Sequence, residues 1–127
     1  MIDHLSFGVA QIERSRTFYD NTLGALGYKR LHTAADSLGY GADEPSLWLT
    51  RTARPVVADP ESGLHISFKA TSPVEVDAFY RAALAHGGQD NGGPGKREQY
   101  GPGYYAAFVV DPDGYRIEAH CELDNIV

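Results

Sequence analysis

The chain has 127 residues, enough for one ordinary domain and too few for two full-sized cores. Its 11 Lys and Arg against 17 Asp and Glu leave a formal charge of −6, the wrong sign for a nucleic-acid backbone, so no nucleic-acid partner is expected. Cys121 is the only cysteine, which excludes an internal disulfide and fits a reducing cytoplasm, and the longest wholly apolar run, Tyr104 to Val110, is far too short to cross a membrane.

Taken in chain order, the first segment alternates: Asp3, Leu5, Phe7 and Val9 on one face, His4, Ser6 and Gly8 on the other. Period two predicts a strand. Ile12, Ser15, Tyr19, Leu23 and Leu26 then lie along one helical stripe that Gly27 stops. Short strands are expected near 28–34, 37–40 and 46–51, followed by a Pro-containing linker over 53–63. His65-Ile66-Ser67-Phe68 then repeats His4-Leu5-Ser6-Phe7 at an offset of 61, and without a gap Phe79-Tyr80, Leu84 and Gly88 repeat Phe18-Tyr19, Leu23 and Gly27. Ser72-Pro73-Val74-Glu75 has the form of a capping box, and Val76, Phe79, Tyr80, Ala83 and Leu84 form the second stripe. Strands are expected near 89–90, 104–110 and 116–121, and the Gly- and Pro-rich stretch 91–103 reads as a lid or rim. The pattern is β-α-β-β-β twice, with modules at about 1–52 and 64–122. The predicted class is α+β: two such modules forming a curved, cup-like mixed sheet with helices on its outer face.

Alternation also sorts chemistry. With the apolar faces on the helices, the opposite faces carry His4, Ser6, His65, Ser67, Lys69, Trp48, Arg116, Glu118 and His120. Two imidazoles and one carboxylate from separate strands can hold a divalent ion and leave positions open for substrate, so His4, His65 and Glu118 are the candidate metal ligands. The plainer readings of the same residues are salt bridges of Arg116 and Lys69 across the mouth of the cup, and a metal-free polar core.

The paired His-Leu/Ile-Ser-Phe starts, the Phe-Tyr helices and the closing Asp111-Pro112-Asp113-Gly114-Tyr115-Arg116-Ile117-Glu118 together resemble the vicinal oxygen chelate superfamily, which includes glyoxalase I, bleomycin-resistance proteins, fosfomycin-resistance enzymes and extradiol dioxygenases. The resemblance implies a metal-dependent lyase, transferase or dioxygenase, with Fe, Mn, Zn or Ni held by His4, His65 and Glu118. It also implies a small substrate that chelates the ion through neighbouring oxygens, and a homodimer, sometimes with each cup completed by two chains. Trp48 stands where glyoxalase I places a second carboxylate, a departure from that mechanism. Trp48, Ser67, Tyr104, Arg116 and His120 are the candidate substrate contacts, and His120, Tyr104 and Tyr105 the candidate bases. The rival reading is a metal-free module that sequesters a small molecule on Trp48, Tyr104 and Tyr105, as bleomycin-resistance proteins do.

Overall fold

The computed structural model describes residues 1–123. The first module runs β1 (Leu5–Val9), α1 (Ile12–Gly24), β2 (Lys29–Thr33), β3 (Ser37–Gly41) and β4 (Pro45–Arg51). The second runs β5 (Ile66–Lys69), α2 (Pro73–Ala85), β6 (Gln89–Asp90), β7 (Gly95–Lys96), β8 (Tyr104–Val110) and β9 (Arg116–Glu122). Each module forms its own mixed sheet, in the orders β1-β4-β3-β2 and β5-β9-β8-β6, with β7 also on β8. In both, the last strand returns to lie parallel beside the first, and the other pairings are antiparallel. The α+β architecture of two repeated modules is as expected. The addition is β7, where Gly95 and Lys96 pair with Ala106 and Tyr105 inside the stretch read as a lid.

The two helices start by different means. At α2, Ser72 Oγ accepts from the Glu75 amide at 3.3 Å, while the Glu75 carboxylate reaches one residue further back than a capping box requires, to the Thr71 amide at 2.7 Å. Gln11 gives α1 no side-chain cap. Instead, Asp113 of the second module accepts from the Ala10 amide and from Arg14, both at 3.0 Å, and so places a carboxylate at the positive end of α1.

Phe18 and Phe79, equivalent in the repeat, are both fully buried and belong with Leu23, Leu49, Val76, Val109, Ile117 and Ala119 to one core that spans both modules. Burial of a phenylalanine side chain contributes about 2–3 kcal/mol, so this shared layer is the main force holding the modules together. Leu84, assigned to the buried stripe from its spacing, is 42% exposed on the outer side of α2. The repeated glycines serve different ends. Gly27 has φ +87° at the end of α1. At Gly88 a Cβ would lie 2.8 Å from both Phe18 Cε1 and the Ala83 carbonyl, so this glycine is needed for close packing.

The β8–β9 turn is the second tie between modules. Asp111 Oδ1 accepts from the Asp113 and Tyr115 amides, and its Oδ2 accepts from the buried Tyr19 hydroxyl of α1 at 2.5 Å. Burial is the main cause that pushes the Asp111 carboxyl up from 3.8 to about 6, against the pull of these donors. Folding therefore takes up a proton here. The resulting stabilisation is complete below pH 4 and is lost as the pH rises through 6. Asp111→Asn keeps the Oδ1 acceptor and removes the titration. In urea unfolding from pH 4 to pH 7, the wild type should lose about 2 kcal/mol more stability than this variant; equal slopes would count against the account.

Candidate functional site

The second sheet separates its side chains by strand alternation. Ile66, Phe68, Tyr105, Ala107, Val109, Ile117, Ala119 and Cys121 join the core beneath α2, and the alternate residues face the other way. The parallel register sets Ser67 beside Glu118 and Lys69 beside His120, and the antiparallel one sets Phe108 across from Glu118. His65, one residue before β5, continues this polar row.

Glu118 sits in the middle of β9 with its side chain only 4% exposed. A carboxylate so buried is costly unless its oxygens are bonded. His65 Nε2 meets Oε1, and the Tyr104 hydroxyl donates to Oε2 at 2.6 Å. Burial first, and then the bond to Glu118, push the Tyr104 hydroxyl up to about 12. Near neutral pH it therefore keeps its proton and acts as a donor, which removes it from the candidate bases. The Tyr104 ring stacks on His120 at 3.7 Å and meets Tyr100 at 5.3 Å, and Phe108 lies 5.7 Å from the His65 ring. Tyr100, Tyr104 and Phe108, with Asn91 and Arg116, line an open cavity of about 350 Å³ floored by His65 and Glu118, and His120 lies outside it behind Tyr104.

The remaining sites expected from the sequence are dispersed. His4 precedes β1, is half exposed and bonds Asp3 at 2.7 Å through Nδ1. Trp48 lies on the polar face of the first sheet, edge-on to His32 at 5.1 Å, and does not line the cavity of the His65–Glu118 pair. A Cβ on Gly39 would come within 2.9 Å of its indole, so the ring packs where only a glycine leaves room. Ser67 is beside Glu118 in register but exposed, and His120 bonds Glu122 at 3.1 Å beyond the stacked Tyr104. Tyr105 points to the opposite face and donates to Asp77 of α2 at 2.7 Å, so it belongs to neither a stacking surface nor a catalytic base. Among the described residues no salt bridge joins Arg116 or Lys69 to an acid. Phe108, Tyr100 and Asn91 were missed. The period that selected Tyr104 also selects Phe108, four residues on, whereas Asn91 and Tyr100 arrive through the folding of 91–103.

Chemically, an imidazole and a carboxylate already in contact are suited to a divalent ion. Catalytic metal centres ordinarily use three protein donors. Among the described residues no group of three or more His, Cys, Asp or Glu side chains comes together. One chain thus offers a donor set of the right type and one short in number.

The family model of the glyoxalase/bleomycin resistance protein/dioxygenase superfamily matches residues 1–119. The chain belongs to this superfamily. A glyoxalase/bleomycin resistance protein from Albidiferax ferrireducens T118 has a crystal structure with TM-score 0.83 and 31% identity, over 93% of this chain and 96% of that one. The uncharacterized protein YqjT of Bacillus subtilis is 29% identical over 121 residues, covering 91% of this chain and 94% of its own length. The fosfomycin resistance protein FosX from Mesorhizobium loti shares the fold, with TM-score 0.67 and 15% identity over 99% of this chain and 93% of its own. Glyoxalase-superfamily membership agrees with the resemblance drawn from the repeat and the Asp-Pro-Asp-Gly turn. It covers several chemistries, so the activity has to be argued from the site.

In this superfamily member, Tyr104→Phe keeps the stack on His120 and strips Glu118 Oε2 of its donor. The variant should be about 1–2 kcal/mol less stable than the wild type in urea unfolding at neutral pH; unchanged stability would mean that water satisfies this oxygen equally well.

Proposed function

We propose that the protein is a metal-dependent enzyme of the glyoxalase superfamily, with a divalent ion held by His65 and Glu118 of one chain and His4 of a second copy. The observation that carries this reading is the contact between His65 and the buried Glu118 at the floor of a cavity. The second copy is supported by two features. His4 is half exposed ahead of β1, and Ile2, Leu5 and Leu64, which are 66%, 40% and 42% exposed, border an apolar groove between β1 and β5. Exposed apolar surface of this kind marks a protein contact.

The Lewis acidity of a divalent ion would stabilise negative charge on neighbouring oxygens of a small substrate. The chain's own groups do the rest. Tyr104 holds Glu118 in place through Oε2 and keeps its proton. Phe108 beside His65 and Tyr100 beside Tyr104 supply aromatic walls for the bound substrate. The backbone of β5 and β9, bonded in parallel register, sets the spacing of the two donors.

A second reading is favoured by the two bonds Glu118 already makes within one chain. On that reading the cavity sequesters a small molecule against the rings of Tyr100, Tyr104 and Phe108 without an ion, and ligand binding survives replacement of His4 and His65 by Ala.

Calorimetric titration of tag-free protein with Mn(II), Zn(II), Ni(II) and anaerobic Fe(II) separates the two. The enzyme reading predicts one ion per chain at micromolar or better affinity. His4→Ala, His65→Ala and Glu118→Gln should each weaken it by about a hundredfold or more. Mixed dimers of His4→Ala and His65→Ala chains should recover one of their two sites. Absence of binding by the wild type would overturn the enzyme reading, and failure of the mixed dimers to recover a site would overturn the role of the second copy.

A further inference from the structure

Five arginines are half-buried: Arg14, Arg16, Arg30, Arg97 and Arg116. Four have a use for their charge. Arg14 pairs with Asp113 at 3.0 Å, Arg30 with Asp20 at 3.0 Å, and Arg16 reaches Asp20 at 3.9 Å. Arg97 donates to the Gly93 carbonyl at 2.6 Å and lies 5.2 Å over the Phe108 ring. Arg116 differs: among the described residues no side chain or carbonyl accepts from it, and it lines the cavity floored by His65 and Glu118. It opens β9 on the face of Glu118, two residues earlier.

The nearby acid does not neutralise it. Both oxygens of Glu118 are engaged, by His65 and Tyr104, and no other Asp or Glu lines this cavity. A partly desolvated guanidinium without an anion is an incomplete arrangement, and its planar fork of donors matches the two oxygens of a carboxylate or phosphoryl group. The chain as a whole carries −6, so general attraction does not bring anions here. The attraction is local to this wall.

We propose that Arg116 binds the oxyanion of an anionic substrate, so that the cavity selects small hydroxy or oxo acids or phosphoryl compounds over their neutral analogues. This rests on the reading of the His65–Glu118 cavity as the substrate site. It does not depend on which ion, if any, the site holds.

The test is a titration of ¹⁵N-labelled protein, stripped of metal by a chelator and then dialysed, at constant ionic strength. The probes are lactate, its neutral analogue lactamide, and inorganic phosphate. Lactate or phosphate should shift the amides around Arg116 and His65 and bind at least about tenfold more tightly than lactamide. A response to lactate identifies a carboxylate ligand, and a response to phosphate a phosphoryl one. Arg116→Gln should weaken the anion by about tenfold or more, and Arg116→Lys, which keeps the charge without the fork, by less. The dispersion of each variant's spectrum checks that it is folded. Failure of both lactate and phosphate to bind more tightly than lactamide, or anion binding unchanged in Arg116→Gln, would overturn the proposal. Repeating the titration with Zn(II) present keeps the two readings apart. Arg116-dependent anion binding by a protein that takes up no metal would uphold this inference and remove the metal, and metal uptake without anion preference would do the reverse.

Discussion

Glu118 is the constraint around which the second sheet is arranged. Its carboxylate is nearly inaccessible to water, and a group of that kind is tolerated only if the protein brings it donors. The donors come from both sides of β9: His65, one residue before β5, on one side and Tyr104 at the start of β8 on the other. Residues 65 and 118 are remote in the chain. They meet because β9 does not stop beside β8 but pairs in parallel with β5, the strand that opens the module. The same return of the last strand to the first occurs in the other module, between β4 and β1, where the polar face carries Trp48 and Ser6 in register and no acid. The repeat thus gives two similar sheets, and among the described residues only the second has a buried carboxylate.

The placement of that sheet relative to the first depends on the turn between β8 and β9. Asp113 caps α1, Asp111 receives the Tyr19 hydroxyl, and Tyr115 donates to the Gly8 carbonyl at 2.6 Å. All three belong to the turn that delivers Arg116 and Glu118 to the cavity. The joint between modules and the floor of the site are therefore contiguous, and disturbance of the turn is expected to reach both.

Much of this was legible in the sequence because it follows from period two. Alternation along 116–121 assigned Ile117, Ala119 and Cys121 to the core and Arg116, Glu118 and His120 to the other face, and the register agrees. Applied to 104–110, the same rule separates Tyr104 from Tyr105 and adds Phe108, so the two tyrosines do not form one surface. The helices were legible from spacing, except at Leu84, where spacing selects a face without saying how far the core extends. Other features were not accessible from pattern. His4 lies outside any hydrogen-bonded strand and finds its partner in the adjacent Asp3. Trp48 settles on His32 because Gly39 leaves space for the ring, a contact between strands that no single-strand pattern encodes. The stretch 91–103 is ordered by Arg97, whose bond to the Gly93 carbonyl and position over Phe108 hold the loop beside the site.

The proposed function requires that His65 and Glu118 act as a pair of metal donors, held in place by Tyr104 and the parallel strands. Anomalous X-ray diffraction from crystals grown with Mn(II) or Zn(II), with data at the metal's absorption edge, tests it most directly. The account predicts a single strong peak per chain within about 2.0–2.2 Å of His65 Nε2 and a Glu118 oxygen. A peak bound elsewhere, or a His65–Glu118 contact left intact with no metal at saturating concentration, would contradict it.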